Sequence, residues 1–325
     1  MTRTDSPSPS PWARIRIKLH KWRTPDALRH MRTAHPDFAL LRRDNGGWRI
    51  LWRGKTVGRT LPLTALARPS QEHCFIVGTG PSINALNFQR LRGHDCIGVN
   101  GSILKSVEAS VRFRSIVILD RQFFIDRFPL IRETLLSGAE CLFSFRGLSA
   151  ICERAPELLA HARVFLLDEI NGRYGVAKPS PQAFDELATT DPELRLHPSR
   201  RPSEGRVGYS LNPDKGVFTG QTIVYSALQV ATRLGYRRVF LLGLDLGGTG
   251  SGIRFYESGT HAAPMRLDRD YEPYILPAFE TAATVCKSIG VEVYNLSPDS
   301  RLPACIVPKL TLEQALDSVL DAPPS

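Results

Sequence analysis

Hydrophobic positions in this chain gather into short unbroken runs, at 74–78, 96–100 (CIGVN), 115–120 (SIVILD), 139–145 (AECLFSF), 163–168 (RVFLLD), 237–245 (RRVFLLGLD) and 291–296 (VEVYNL). Runs of this length without polar alternation predict strands buried on both faces, the environment of a parallel sheet. Helical periodicity fills the gaps, most clearly at 221–234 (QTIVYSALQVATRL) and 273–289, and a helical pattern starts at Ile83. The alternation predicts an α/β fold, an open, doubly wound, mostly parallel sheet of Rossmann-like type. Two regions break the rhythm. Residues 45–67 read as a short hairpin, WRILW and TVGRTL on either side of a Gly-Lys turn. Segment 169–218 is rich in Pro, Gly and charge, and a structureless stretch of that length is expected to be a lid or disordered. Its Arg200, Arg201, Arg206 and Lys215 suit an anionic acceptor as well as they suit a solvated excursion.

The expected organisation is a disordered Ser/Pro-rich stretch over 1–11, a basic helix and hairpin over 12–70, and an α/β domain over 71–325 carrying the 169–218 insertion. Trp12, Ile15, Leu19 and Trp22 fall on one helical face with cations between them, among them Arg14, Arg16, Lys18, Lys21 and Arg23. That pattern fits a helix lying on an anionic membrane, or one docked on its own domain. The formal net charge of +10 favours acidic partners. No nucleic-acid module is visible, so no nucleic-acid partner is expected. No stretch approaches the ~20 apolar residues that cross a bilayer, and the N-terminus has no apolar core of a secretory signal. The six cysteines are scattered without a CxxC pair, as expected of reduced, buried thiols. Together these features predict a cytoplasmic, peripheral protein.

Candidate chemistry collects where the predicted strands end. The run Cys74–Val77 stops at Gly78-Thr79-Gly80-Pro81-Ser82. A strand that breaks on glycines into a helix presents backbone N–H groups to a phosphate; Gly78 and Gly80 can take positive φ, and Ser82 can cap the helix. The turn lacks the lysine of a Walker loop and the third glycine of a dinucleotide fingerprint, so a plain tight turn stands beside the phosphate reading. Other strand ends carry Asn100-Gly101-Ser102, Asp120, Gly243-Leu244-Asp245 and Ser297, small or hydrogen-bonding groups along one edge, which suits a ribose and a phosphate. Taken singly, Asn100 and Asp120 also read as ordinary helix caps. In the loop after Asp245, Arg254 and Tyr256 can donate to a departing phosphate and His261 can take a proton. Asp268-Arg269-Asp270 precedes a helical pattern whose dipole alone accounts for the acids, so no metal is expected.

The segments FIVGTGPSI, IGVNGS and SALQVATRLGYRRVFLLGLDL resemble bacterial CMP-sugar-dependent glycosyltransferases of the family that includes the Campylobacter-type sialyltransferases. The run RFYE…RDYEPYILPAF…VYNLSPDS resembles more closely the lipopolysaccharide-core 3-deoxy-manno-octulosonic acid (Kdo) transferases of the WaaZ type. The resemblance spans roughly residues 73–310, with 169–218 poorly matched. It implies a Rossmann-like glycosyltransferase that moves a 2-keto sugar acid, Kdo foremost, from a CMP donor to lipopolysaccharide core or a related glycolipid, without a metal or a further cofactor. By the same resemblance Gly78–Ser82 and Asn100 face the cytidylate phosphate and ribose, and Asp120 sits where a donor-contacting residue belongs. Thr219, Gly220, Gln221 and Thr222 then open a helix near the sugar carboxylate, Gly243–Asp245 flank the nucleoside, and Tyr256 stabilises the leaving CMP. Where the sialyltransferases carry a histidine base this chain has Met265, which leaves the base open among His261, Asp268, Asp270 and Asp120. A sialyltransferase proper, and a non-catalytic glycolipid-binding protein that keeps the fold, are the alternative readings.

Overall fold

The structure, a computed structural model, describes residues 11–198, 207–247, 254–256 and 267–320. Along the chain the strands are β1 (Phe38–Arg42), β2 (Trp48–Trp52), β3 (Lys55–Leu61), β4 (His73–Val77), β5 (Cys96–Val99), β6 (Ser115–Ile118), β7 (Glu140–Phe143), β8 (Val164–Leu166), β9 (Leu194–Leu196), β10 (Gly208–Ser210), β11 (Arg238–Leu242) and β12 (Glu292–Asn295). The α-helices are α1 (Pro11–Arg23), α2 (Ile103–Ala109), α3 (Arg121–Asp126), α4 (Phe128–Leu136), α5 (Phe145–Arg154), α6 (Pro181–Thr190), α7 (Ile223–Leu234), α8 (Leu267–Asp270), α9 (Leu276–Ser288) and α10 (Leu312–Leu320). Ten strands form one sheet in the order β1-β2-β3-β8-β7-β6-β5-β4-β11-β12. From β3 to β12 every neighbouring pair is parallel. All seven expected hydrophobic runs are strands of that sheet, each stopping short of its expected end. Alternate residues of one strand feed opposite sides: Cys74 and Ile76 join the apolar layer around α7 and α9, while Phe75 and Val77 join the layer around α5 and α10. Both faces are covered, which is why the strands read as solid apolar runs.

Three expectations need correction. The hairpin at 45–67 is present as β2 and β3, but β1 adds a third antiparallel strand and β3 pairs in parallel with β8, so the meander extends the sheet. Segment 169–218 is not structureless. It holds α6 and the antiparallel pair β9–β10, and buries Phe184, Tyr209 and Val217; its elements are too short for periodicity to reveal. Of its cations, Lys215 is spent on Asp191 and Glu193 at 2.5 and 2.7 Å, and Arg200, Arg201 and Arg206 lie outside the described residues. The element after β4 is not an α-helix. Two 3₁₀ turns, Pro81–Ala85 and Phe88–Leu91, replace it, because Leu86 adopts an extended conformation (φ −90°, ψ 138°) after the first.

Five cysteines are buried and Cys305 is exposed, all of them free. No helix among the described residues is long and apolar enough to cross a membrane. Trp12 and Trp22 on α1 are 77% and 80% exposed, and Arg16 of that helix pairs with Asp37.

Candidate active site

The order in which strands are added reverses between β4 and β11. From β4 the chain winds outward through β5, β6, β7 and β8; from β11 it winds the other way to β12. In open α/β sheets such a switch point opens a crevice beyond the carboxyl ends of the strands. A cleft of about 670 Å³ lies there, and its walls come from the loops after β4, β5, β6, β7, β8 and β11 and from the start of α7. Of the residues singled out from sequence, it brings together Thr79, Gly80, Pro81, Asn100, Asp120, Thr219, Gln221, Thr222, Gly243, Leu244, Asp245 and Arg254.

The glycine turn is built differently from a phosphate cradle. Gly78 N–H donates to Leu242 O (2.8 Å) and Gly80 N–H to Gly243 O (2.9 Å). Ser82 N–H donates to Asp245 Oδ2 at 2.9 Å, and its hydroxyl donates to Asp245 Oδ1. The amides of Gly78, Gly80 and Ser82 are therefore consumed by the last residue of β11 and the loop after it. Ser82 caps no helix, since its side chain is the partner of Asp245 and of Ser297 Oγ (3.0 Å). Nor do the two glycines take positive φ; Gly80 has φ −67°. They are glycine because a Cβ at Gly78 would sit 2.6 Å from Leu242 O, and one at Gly80 would sit 2.4 Å from Asp245 Oδ2. The left-handed residue is the partner, Gly243, at φ +64°. Ser297 Oγ accepts Leu244 N–H at 3.0 Å, so its role is to brace the second turn from below.

Backbone strain concentrates in this cleft. Five non-glycine residues among those described have positive φ, and three of them line it: Asn100 (+47°), Gln221 (+55°) and Leu246 (+54°). Such conformations cost about 1–3 kcal/mol each and persist where surrounding structure enforces them, most often at binding sites. Asn100 Oδ1 is moreover buried with no hydrogen-bond partner, an expensive state for a polar atom that a ligand can relieve. Gly101 and Ser102 serve the loop itself. A Cβ at Gly101 would meet the Tyr256 ring at 2.4 Å, and Ser102 Oγ accepts Val99 N–H at 2.8 Å.

Across the cleft α7 begins with no side-chain cap. Thr222, its N-cap residue, is extended (φ −144°, ψ 133°), and Thr222, Ile223 and Val224 form the wall. Tyr225 N–H is given to Thr222 O (3.0 Å), while the positive end of the helix dipole, carried by residues that line the cavity, is a setting that favours an anion. Gly220 (φ +50°) shapes the approach from behind, where a Cβ would strike the Tyr225 ring at 2.7 Å.

The residues considered for proton transfer scatter. Asp120 lines the cleft and also caps α3, its Oδ1 accepting Gln122 N–H at 2.9 Å. Asp268 is 3.0 Å from Arg301, Asp270 is buried 2.7 Å from Arg269, and neither lines the cleft. His261 and Met265 lie outside the described residues. Tyr256 is wedged against Gly101, edge-on to Phe123 at 6.4 Å, beside the cleft wall. Sequence reasoning missed Arg121, Arg146, Glu169 and Thr33, which also line the cavity. A signal existed, since Arg121 and Arg146 come just after strand ends, but the second end reads as the apolar stretch ECLFSF. Asp168 behind them is buried and its pKa is pushed up to about 6 by burial, although it accepts N–H bonds from Phe145 and Tyr174 at 2.9 Å each. It fixes the start of α5 and hence Arg146.

Residues 63–313 match the family model described as 3-deoxy-D-manno-octulosonic acid transferase WaaZ. A probable 3-deoxy-manno-octulosonic acid transferase of Salmonella typhimurium is 27% identical over 267 residues, covering 79% of this chain and 93% of the relative. A protein of the same description from Escherichia coli is 36% identical over 107 residues, 33% of this chain and 36% of that one. Among solved structures, the MAf glycosyltransferase of Magnetospirillum magneticum aligns with a TM-score of 0.41 at 15% identity, over 77% of this chain and 34% of its own. The sialyltransferase CST-II, crystallised with a trisaccharide acceptor and CMP, aligns with a TM-score of 0.37 at 15% identity, over 72% of this chain and 84% of its own.

Proposed function

The chain belongs to the WaaZ family of 3-deoxy-D-manno-octulosonic acid transferases, and from that premise we propose that it is a glycosyltransferase of lipopolysaccharide-core synthesis that draws its sugar acid from a CMP donor. The observation that carries the donor assignment is Asn100. It is held in a left-handed conformation at the switch point, with a buried Oδ1 lacking a partner, opposite the uncapped start of α7. In this reading the cytidine lies against Gly243–Asp245, its ribose takes the Asn100 side chain, and the sugar carboxylate meets the first turn of α7. Transfer needs an acceptor hydroxyl to attack the anomeric carbon while the bond to the CMP phosphate breaks. The hydroxyl proton passes to a carboxylate, for which Asp120 is the candidate base that lines the cleft among the described residues. The charge developing on the departing phosphate is met by Arg254 and the dipole of α7, so the reaction proceeds without a metal.

The exposed face of α1 supports a peripheral position on the cytoplasmic leaflet: interfacial tryptophans and basic residues suit an anionic lipid surface, where the glycolipid acceptor resides. Calorimetry with CMP, against ATP and NAD as controls, tests the donor site; no heat at millimolar CMP refutes it. Turnover of CMP-Kdo but not of CMP-sialic acid then separates a Kdo transferase from a sialyltransferase.

A further inference from the structure

A donor bound between Asn100 and the start of α7 leaves the far end of the cleft unused, and a role for that end rests on this donor placement. Beyond Asp120 the cavity continues past the ends of β7 and β8, where Arg121, Arg146, Glu169 and Thr33 form its walls. Arg146 is held in place on three sides. Its guanidinium lies 5.3 Å from the Phe145 ring centroid, Nη1 is 3.4 Å from Glu169 Oε1, and Nη2 occupies space that a Cβ at Gly172 would invade to 2.9 Å. Its side chain is only 19% exposed. Arg121, the first residue of α3, stands 3.5 Å from Glu153. Both ion pairs are longer than the roughly 2.7–2.9 Å of a charge-assisted hydrogen bond. Both arginines, moreover, keep a buried Nε–H with no partner.

Buried donors left unspent are costly, and two guanidinium groups on one cleft wall present a fork geometry that matches carboxylate and phosphate oxygens. Thr33 closes the same end. It terminates the 3₁₀ turn Asp26–Thr33 that comes after α1, so this mouth of the cleft is continuous with the segment bearing the exposed Trp12 and Trp22. We propose that the far end is the acceptor subsite, and that Arg121 and Arg146 recognise an anionic group, carboxylate or phosphate, on the acceptor sugar. The donor's own carboxylate is accommodated separately, at the first turn of α7.

The test uses the full chain and the variants Arg146→Gln, Arg146→Lys and Arg121→Gln. In steady-state transfer from CMP-Kdo to purified core glycolipid, each glutamine variant should raise the acceptor KM about tenfold to a hundredfold while the donor KM stays within about twofold. Arg146→Lys, which keeps the charge and loses the fork, should fall between. A rise in donor KM instead, or an unchanged acceptor KM, overturns the assignment. A second readout does not depend on turnover. With CMP saturating, free Kdo and inorganic phosphate are titrated separately by calorimetry; the one that binds names the group, and Arg146→Gln should abolish that binding while CMP affinity, unchanged, certifies the fold. Anion binding that survives in both glutamine variants also overturns it. If wild-type protein fails to bind CMP, the donor reading falls, and the anion titration run without CMP still decides whether the arginines form a seat.

Discussion

Replacing Gly80 by alanine is the sharpest perturbation of the switch point. The new Cβ would lie 2.4 Å from Asp245 Oδ2 and 2.7 Å from Gly243 O. Real Cβ atoms stay beyond about 3.0 Å, so the turns must part by roughly 0.6 Å. Neither neighbour can yield alone. Gly243 O accepts the Gly80 N–H, and the Asp245 carboxylate is clamped by the Ser82 amide and hydroxyl. Separation therefore weakens one neutral hydrogen bond, about 1 kcal/mol, and at least one to a charged acceptor, about 1.5–3 kcal/mol. The combined loss, about 3 kcal/mol, agrees with the usual cost of overpacking. With an unfolding entropy of about 2.1 cal/mol/K per residue, a chain of 325 residues should melt about 4 °C lower. Differential scanning calorimetry measures this, and CMP titration of the same protein should show affinity reduced by more than about tenfold, since Thr79, Gly80 and Gly243 line the cleft. Gly93→Ala is the control. Its φ of +85° imposes left-handed strain with nothing within 4 Å of the added Cβ, so it should lose about 1 kcal/mol and keep its CMP affinity. A Gly80→Ala protein that melts within about 1 °C of wild type and binds CMP normally would show that the two turns do not interlock.

Three further outcomes are expected. Asn100→Ala should weaken CMP binding by about tenfold to a hundredfold, and Asn100→Gly, which keeps the left-handed backbone at no cost, should lose nearly as much; wild-type affinity in the glycine variant would mean the side chain does not meet the donor. Asp168 has a folded pKa of about 6 against an ordinary 3.8, so its contribution to stability is complete below pH 3.8 and is lost as pH rises through about 6. Asp168→Asn removes that dependence, and its melting temperature relative to wild type should climb between pH 4 and 7 by the equivalent of up to about 3 kcal/mol; a flat difference contradicts a protonatable Asp168. Trp12→Ala with Trp22→Ala should release the protein from anionic vesicles in a flotation assay without altering CMP affinity, and salt should weaken the wild-type interaction; equal flotation of both proteins would place the membrane contact elsewhere.

The sheet was legible because burial on both faces writes itself locally into the chain. Cys74–Val77, Ser115–Ile118 and Arg238–Leu242 are apolar at nearly every position, and a covered parallel strand accounts for that. The edge strand β1 was not legible, since Phe38–Arg42 is only half buried and is paired along one side alone, with Trp48–Trp52. Asn100 was found by a positional rule, the polar residue just past a strand end. The same rule reaches Arg146 only after β7 is seen to stop at Phe143, because Phe145 and Phe143 read as one apolar run.

Residues adjacent in the chain were enough to establish the α/β class, the seven parallel strands and the edge on which the candidate chemistry lies. The work done by the glycines has a different origin. Ser82 and Asp245 are 163 positions apart, and only the reversal of strand order between β4 and β11 brings their loops into contact. That contact turns Gly78 and Gly80 from an expected open phosphate turn into half of an interlock, and leaves the uncapped start of α7 and the unpartnered Asn100 Oδ1 on the cleft wall. The arginine pair arises in the same way: Arg121 and Arg146 share a wall because β6 and β7 are neighbours in the sheet, a proximity that no local pattern encodes.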